Sequence, residues 1–177
     1  ELIQREKITQ FFGAPVMYNF MMAVPDFERY DLSSVRYYGY GAAPMAAESV
    51  RQMIARFKTD RFFCLCGLTE GGPGGVALLP ADQVRKAGAG GKYIVNMESR
   101  LADPEGRTIT MPGVVGELVL KGETIMKGYY KNPQATAATI RDGWLYTGDL
   151  GVMDEEGYIT LVDRSKDMII TGGENVY

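Results

Sequence analysis

The chain has 177 residues, of which 46% are hydrophobic and 23% charged, and its formal net charge is −3. This composition is ordinary for a globular protein with one domain or parts of two, and the negative charge argues against nucleic acid as the main partner. No apolar run approaches the roughly 20 residues that a membrane-spanning helix needs, so we expect a cytoplasmic protein without a transmembrane segment.

The first half of the chain predicts part of a parallel α/β subdomain. Apolar spacing predicts an amphipathic helix over residues 1–12, and the apolar segment 15–27 continues the helical packing. A strand is predicted at 35–40, a helix at 45–58 and a buried parallel strand at 61–66. Strand, helix and strand in this order are typical of a βαβ unit.

Both predicted strands run into loops of small residues. The first leads into Gly41-Ala42-Ala43-Pro44, and the second leads into GLTEGGPGG at 67–75. Because ligands of open α/β sheets bind at the carboxyl ends of the strands, these loops are candidate parts of a ligand site.

The two cysteines, Cys64 and Cys66, lie in the second predicted strand, and the chain has no histidine. Two thiols alone make a poor zinc site. We therefore expect reduced thiols that belong to a core, with no chemical role.

The second half predicts short strands separated by turns. Turn signals lie at DPEG, 103–106, and DEEG, 154–157, and residues 133–140 are predicted to form a short helix. The stretches VVGELVLKG and YITLVDR alternate as strands do. We expect a small β-barrel-like subdomain here, and hence an α/β plus β fold for the chain.

The stretch YTGDLG, residues 146–151, contains a single carboxylate, Asp149. If DEEG forms a hairpin turn, Asp149 comes level with Val162 or Asp163, and Arg164 lies at the same open end. For two arbitrary residues this would be a structural ion pair. At a strand end near a Gly-rich loop, however, the two also offer acceptors for a vicinal diol and a cation for an anion, which is the shape of a ribose with its phosphate.

Five segments resemble, in order, motifs of the adenylate-forming superfamily of acyl-CoA synthetases, luciferases and nonribosomal peptide synthetase adenylation domains. They are GAAP at 41–44, GLTE at 67–70, GELVLKGETIMKGYYKNPQAT at 116–136, WLYTGDLG at 144–151 and DRSKDMIITGGENVY at 163–177. The residues around MKGYYKNPQAT and the final GGENVY are most similar to those of bacterial fatty-acyl-CoA or related acid–CoA ligases.

The resemblance implies roles around a nucleotide. In the loop that begins at Gly67, Thr69 would contact the α-phosphate and Glu70 would hold Mg²⁺. Asp149 would accept both ribose hydroxyls, and Arg164 would bind the ribose or a phosphate.

The resemblance also implies an adenine pocket. Leu161 would lie against one side of the base. Small residues that let the backbone approach the base would form the opposite wall: Gly41, Ala42 and Ala43. Many relatives carry an aromatic residue immediately before Gly67, whereas this chain has Cys66, which implies a softer and smaller wall.

The end of the chain resembles the start of a C-terminal lid. Lys166 matches the hinge, and Gly172, Gly173 and Glu174 match the loop that lines the pantetheine tunnel for CoA. The implied division is an α/β AMP-binding part at 1–85, a β-rich part at 86–164, and the hinge with the first lid strands at 165–177. We expect the phosphate-binding loop upstream and the catalytic lysine downstream, so the chain is expected to be an internal fragment without turnover of its own.

The implied reaction of the full-length enzyme uses ATP and Mg²⁺ to convert a carboxylic acid, expected to be a fatty acid, into an acyl-adenylate, and then transfers the acyl group to CoA. Two alternatives stay open: an adenylation enzyme that loads a carrier protein, and a non-catalytic nucleotide-binding or interaction module. The oligomeric state is not readable, although a truncated α/β half could associate through exposed apolar surface.

Overall fold

The computed structural model describes residues 1–72, 74–164, 169–171 and 174–176. Two compact units divide the chain. Unit 1 contains Glu1–Leu65, Leu78–Gly88 and Ile169–Tyr177, and unit 2 contains Cys66–Ala77 and Ala89–Met168. None of the helices in the described ranges has the length and apolar character to span a membrane. The functional division expected from the sequence, with a lid from residue 165, stays a prediction.

The elements of the described residues follow in chain order. The helices are α1 (Leu2–Glu6), α2 (Pro15–Met22), α3 (Ala47–Phe57) and α4 (Pro133–Thr139). The strands up to residue 93 are β1 (Gln10–Gly13), β2 (Tyr37–Gly41), β3 (Phe62–Gly67), β4 (Gly75–Leu78) and β5 (Lys92–Tyr93). The later strands are β6 (Met97–Ala102), β7 (Thr108–Ile109), β8 (Val115–Gly122), β9 (Ile140–Arg141), β10 (Trp144–Met153), β11 (Ile159–Arg164), β12 (Ile169–Thr171) and β13 (Glu174–Val176).

Unit 1 is built on parallel strands. Strand β2 pairs in parallel with β1 and with β3, so that Phe11, Tyr38 and Phe62 lie side by side. The rings of Tyr38 and Phe62 stack with centroids 5.0 Å apart, and Phe57 of α3 meets both edge-on. Aromatic packing between the helix and the sheet therefore forms the core of this unit, and the predicted α/β arrangement is confirmed.

The helix predicted over residues 1–12 is wrong for its second half. Helix α1 ends at Glu6, and Lys7 takes the left-handed conformation with φ 50°. Residues 10–13 are instead strand β1, whose Phe11 and Phe12 point to opposite faces of the sheet. Pairing with β2, which lies 27 residues away in sequence, decides the conformation here, and helical spacing alone does not show it.

The helix predicted at 45–58 is confirmed as α3, with bounds shorter by two residues at the start and one at the end. Its buried residues Val50, Met53 and Phe57 keep the predicted spacing and form one face. Lys58, with φ 53°, ends it. Strand β3 follows where a buried strand was predicted, at 61–66.

Unit 2 is built on an antiparallel sheet. The strand order is β11-β10-β8-β6-β7, and β9 pairs with β10. Strands of this sheet supply most of the buried core cluster, and Val76 of β4 joins it: Met97, Leu101, Leu118, Leu120, Leu145 and Ile159 are the members from the sheet. In the part of the chain that the structure describes, the end strands β11 and β7 do not pair with each other, so the sheet is open. The α/β plus β fold class is confirmed, whereas the barrel-like closure expected for the β-rich part is not found among the described residues.

Candidate functional site

The hairpin β10–β11 places Asp149 opposite Arg164, as a directly paired position in the register. The turn that closes the hairpin is the predicted DEEG, in which the N–H of Gly157 donates to the carbonyl of Asp154 at 3.0 Å. Arg164 Nε lies 2.7 Å from Asp149 Oδ1. The prediction that the two side chains share the open end of this hairpin is confirmed.

A β-bulge in β11 brings about this pairing. Gly151 faces Leu161 whereas Leu150 faces Asp163, so Val162 is an extra residue without a partner across the ladder. Regular counting from the turn would set Asp163 opposite Asp149. The bulge shifts the strand by one residue and replaces two facing carboxylates by an opposite-charge pair, which is the favourable arrangement across strands.

The segment Thr147–Asp149 leaves the ladder between β10 and β8. The hydroxyl of Thr147 takes over part of the hydrogen bonding there. It donates to the carbonyl of Leu118 at 2.7 Å and accepts from the N–H of Asp149 at 3.1 Å. The bulged segment is thus held by a specific side chain, which restricts where the Asp149 carboxylate can lie.

Glu117 of β8 supports the same segment. Its Oε1 accepts a hydrogen bond from the N–H of Gly148 at 2.8 Å, and Gly148 has φ 76°, a conformation that favours glycine. Asp149 is only 8% exposed. Burial raises the pKa of the Asp149 carboxyl, the Arg164 guanidinium opposes this effect, and the Glu117 carboxylate adds to it. The site therefore contains an aspartate that takes up a proton more readily than an exposed one.

The Thr69–Gly71 turn is a single turn of 3₁₀-helix that follows β3. The residue before it, Leu68, occupies the N-cap position, so the Thr69 hydroxyl does not cap this turn. Thr69 is exposed, and its hydroxyl has no hydrogen-bond partner among the described residues. Gly71 is buried, and a Cβ there would lie 3.6 Å from Leu120 and 3.9 Å from Leu145. The turn therefore rests on β8 and β10, and β10 also carries Asp149.

Glu70 is half-buried in this turn, and its carboxylate is oriented by a tyrosine. Oε1 accepts a hydrogen bond from the Tyr129 hydroxyl at 2.9 Å, and the backbone carbonyl of Glu70 accepts from the N–H of Met126 at 2.8 Å. The second carboxylate oxygen, Oε2, receives no hydrogen bond from the described residues.

The donor set around Glu70 fits Mg²⁺ that is bound together with a nucleotide. No group of three or more His, Cys, Asp or Glu side chains that could hold a metal ion occurs within the residues described here. Protein sites for Mg²⁺ commonly provide only one or two carboxylates and leave the other positions to phosphate oxygens and water. Glu70 alone satisfies that requirement, whereas a site built wholly from protein groups would need more ligands.

Cys66 and Gly67, the predicted entrance to this loop, belong to unit 2. Cys66 is half-buried and packs against the core of that unit. Gly67 is exposed, and a Cβ there would collide with the carbonyl of Gly74. The glycine thus permits a close approach of two backbone segments within the loop itself.

The remaining predicted residues are distributed over both units. Leu161 of β11 is half-buried and packs against the core of unit 2. The small-residue wall lies in unit 1, where Gly41 is buried, Ala42 is exposed and Ala43 is half-buried.

The predicted hinge and lid loop come last in the chain. Lys166, Gly172 and Gly173 lie outside the described residues, and Glu174 is located only as part of the backbone of β13. Their roles stay predictions.

Three residues that hold the site were not predicted from the sequence. Glu117 and Thr147 support Asp149, and Tyr129 orients Glu70. Glu117 and Tyr129 belong to the segment 116–136, which resembles a family motif, but no local pattern shows that they meet residues 31 and 59 positions away. Thr147 is the one of the three that lies near its partner in the sequence, two residues before Asp149, so its contact could have been predicted from a local pattern.

Comparison with known proteins adds an independent finding. The sequence model described as "AMP-binding enzyme" matches residues 1–130. A feruloyl-CoA synthase from Amycolatopsis sp is 41% identical over 99% of this chain, which covers 35% of that protein. A long-chain-fatty-acid–CoA ligase from Bacillus subtilis is 37% identical over 100% of the chain and 31% of its own length. The structure of an amide bond synthetase from Marinactinospora thermotolerans superposes with a TM-score of 0.91 at 34% identity, over 99% of this chain and 35% of that one.

Proposed function

This chain belongs to the AMP-binding enzyme family, and from that premise we propose that its full-length protein is an AMP-forming acid–CoA ligase. The chain spans about a third of the length of the relatives it matches, at 35% and 31%. The activity is therefore proposed for the whole protein, and the chain contributes the groups that bind the nucleotide.

The pairing of Asp149 with Arg164 carries this proposal. An ionised aspartate is an acceptor at both oxygens, so it can accept from the two hydroxyls of a ribose while it stays paired with the arginine. Arg164 holds a positive charge beside it at 33% side-chain exposure. A merely structural ion pair would not require all three of the features that bring this one about. These are the bulge at Val162, the left-handed backbone conformation of Gly148 and the hydrogen bond from Gly148 to Glu117.

The chemistry proposed has two steps. The substrate carboxylate attacks the α-phosphorus of ATP, the bond from that phosphorus to the bridging oxygen breaks, and pyrophosphate leaves. The thiolate of CoA then attacks the acyl carbon, a thioester forms and AMP leaves. Without the first step the carboxylate has no adequate leaving group, which is why ATP is consumed.

The described residues bind and orient the reactants in this scheme. Thr69 donates its hydroxyl to an α-phosphate oxygen, and Asp149 fixes the ribose. Glu70 would hold Mg²⁺, which when bound supplies positive charge next to the phosphates. No side chain of the chain forms a covalent bond with substrate, so the contribution is positioning and electrostatic stabilisation. The proposal assigns Leu161 and Gly41–Ala43 to the adenine pocket, Lys166 to the hinge and Gly172–Glu174 to the path of CoA.

We propose a hydrophobic acid as substrate, with fatty acids as the first candidates. One relative is named a long-chain-fatty-acid–CoA ligase and another a feruloyl-CoA synthase, so an aromatic acid is the second candidate class. A different acceptor is the second candidate function, because the structural likeness to an amide bond synthetase supports transfer of the acyl group to an amine.

The test is an assay of the full-length protein in two stages. Hydroxylamine trapping first detects acyl-adenylate formation from ATP with octanoate, palmitate, ferulate or benzoate. CoA, an acyl carrier protein or a simple amine is then supplied, and the acyl product is identified by mass spectrometry. We expect acid-dependent AMP release and an acyl-CoA thioester. Absence of adenylate with every acid would contradict the ligase proposal, and an amide product would establish the second candidate.

A further inference from the structure

One loop contacts the Thr69–Gly71 turn at three points. Between β8 and α4, residues 123–129 form a segment that we name the brace loop. Its Thr124 hydroxyl donates to the carbonyl of Gly71 at 2.9 Å, and its Met126 N–H donates to the carbonyl of Glu70 at 2.8 Å. The third contact is the bond from the Tyr129 hydroxyl to Glu70 Oε1 at 2.9 Å. Two of the contacts hold the backbone of the turn, and only the third acts on its carboxylate.

The brace loop is itself anchored, so that the Tyr129 hydroxyl has a defined position. Ile125 and Met126 pack against the core of unit 2. At the other end of the loop, the N–H of Tyr129 donates to the hydroxyl of Thr136 in α4 at 2.9 Å. That hydroxyl in turn donates to the carbonyl of Asn132, the N-cap of the helix, at 2.9 Å.

We propose that Tyr129 is a positioning residue for Glu70, which holds the carboxylate in the orientation that receives Mg²⁺ with ATP. This inference rests on the proposed function. Oε1 is occupied by the hydroxyl of Tyr129, so Oε2 is the oxygen that faces no protein donor among the described residues. A carboxylate with one oxygen fixed cannot rotate freely about its terminal torsion. The Glu70 carboxylate is therefore ordered before Mg²⁺ binds, and binding does not have to supply the free energy for that ordering.

The effect expected from this arrangement is an increase in metal affinity. Hydrogen-bond partners of metal ligands typically change metal affinity by about 10- to 100-fold when they are removed. Tyr129 is 36% exposed, so water can replace its hydroxyl in part, and the lower end of that range applies. We expect Tyr129→Phe to weaken apparent Mg²⁺ binding by about ten-fold.

The next residue provides a matched control. Tyr130 is 88% exposed and its ring lies 5.2 Å from the Lys131 ammonium group. Tyr130→Phe removes the same chemical group from the residue that directly follows the brace loop, and no contact joins Tyr130 to Glu70 among the described residues.

The test uses the full-length protein and a double-mutant cycle. Binding of ATP is titrated calorimetrically at a series of Mg²⁺ concentrations, and the Mg²⁺ concentration at half-maximal enhancement is compared among the wild type, Tyr129→Phe, Tyr130→Phe, Glu70→Gln and Glu70→Gln/Tyr129→Phe. The melting temperature of each variant is recorded separately, because a general loss of structure would lower it.

The expected result is a raised Mg²⁺ midpoint in Tyr129→Phe, an unchanged midpoint in Tyr130→Phe, and no added effect of Tyr129→Phe when Glu70 is already Gln. An equal effect of Tyr129→Phe in both backgrounds would overturn the inference, as would a midpoint equal to that of Tyr130→Phe. If Glu70→Gln itself leaves the Mg²⁺ dependence unchanged, the metal role in the proposed function fails as well, so the two failures are distinguishable.

Discussion

The Glu117 carboxylate accepts a hydrogen bond from the backbone N–H of Gly148, at 2.8 Å, one residue before Asp149. This contact has two consequences of opposite kind. As an acceptor, Glu117 holds the bulged segment in place. As a negative charge, it raises the pKa of the Asp149 carboxyl and so opposes the ionised form that the proposed ribose contact requires. The two effects can be separated by substitution.

Glu117→Gln keeps an oxygen acceptor for Gly148 and removes the charge. Because that charge raises the pKa of Asp149, we expect its pKa to fall in the variant. In the proposed site AMP binds to the ionised carboxylate, so AMP affinity should then persist to lower pH, while affinity at pH 7 stays close to that of the wild type. Affinity is measured by calorimetry from pH 4 to pH 8.

Glu117→Ala is the companion variant, since it removes both charge and acceptor. We expect a loss of about 1–2 kcal/mol in the free energy of unfolding because the N–H of Gly148 loses its partner. If AMP affinity falls at the same low pH in Glu117→Gln as in the wild type, the Glu117 charge does not act on Asp149.

Asp149→Asn is expected to lose nucleotide binding without losing stability. The pKa of Asp149 in the folded protein is raised above its ordinary value of 3.8, so ionisation disfavours folding, and stability falls as the pH rises from 3.8 through the folded-state pKa. Asparagine stays neutral. At pH 7 the variant should therefore unfold at a urea concentration equal to or higher than that of the wild type, and the difference should close as the pH falls below 3.8. A variant clearly less stable at pH 7 would mean that the bond to Arg164 outweighs the effect of burial.

Deletion of Val162 tests the bulge. Without this extra residue, regular pairing would still set Asp149 opposite Arg164, now with no bulge between Leu161 and Asp163, so we expect AMP affinity to stay close to that of the wild type. Insertion of one alanine after Val162 is the contrasting variant, because a bulge of one residue would then set Asp163 opposite Asp149. We expect the insertion to lower AMP affinity by at least about ten-fold, because one charge-assisted interaction is replaced by repulsion. Val162→Ala keeps the residue count and hence the bulge, and its side chain is 52% exposed, so it should bind AMP as the wild type does. Equal affinity of the insertion variant and the wild type would contradict the role given to the register.

Two adjacent residues of the small-residue loop should respond in opposite directions. In Gly41→Ala the new Cβ would collide with the carbonyl of Leu65 and lie 3.2 Å from the Phe12 ring, so we expect a loss of about 1–3 kcal/mol in the free energy of unfolding. Ala42 has φ 66°, which is unfavourable for alanine, and Ala42→Gly should gain about 1 kcal/mol. Urea unfolding of both variants checks the signs, and destabilisation by Ala42→Gly would show that the methyl group packs more favourably than its backbone strain costs.

Several elements were predictable because their causes are local. Helix α3 follows from apolar spacing and the turn at 154–157 from its Asp and Gly residues, and both are confirmed. Counting residues outward from this turn was enough to predict that Asp149 and Arg164 lie at the same end of the hairpin. The resemblance to the family was also found from the sequence, because it depends only on the residues of five segments and on their order.

Tertiary structure decided what depends on pairing between distant residues. Residues 10–13 form strand β1 because β2 pairs with them. The helical spacing of apolar residues within 1–12 does not contain that information. The bulge at Val162 turned an approximate juxtaposition into direct contact between Asp149 and Arg164. The sequence by itself determined which groups could bind a nucleotide, since side-chain chemistry is carried by residue identity. Which of these groups are oriented, and by what, was decided only in the fold, because a hydrogen bond such as that from Tyr129 to Glu70 requires two chain segments to meet at 2.9 Å.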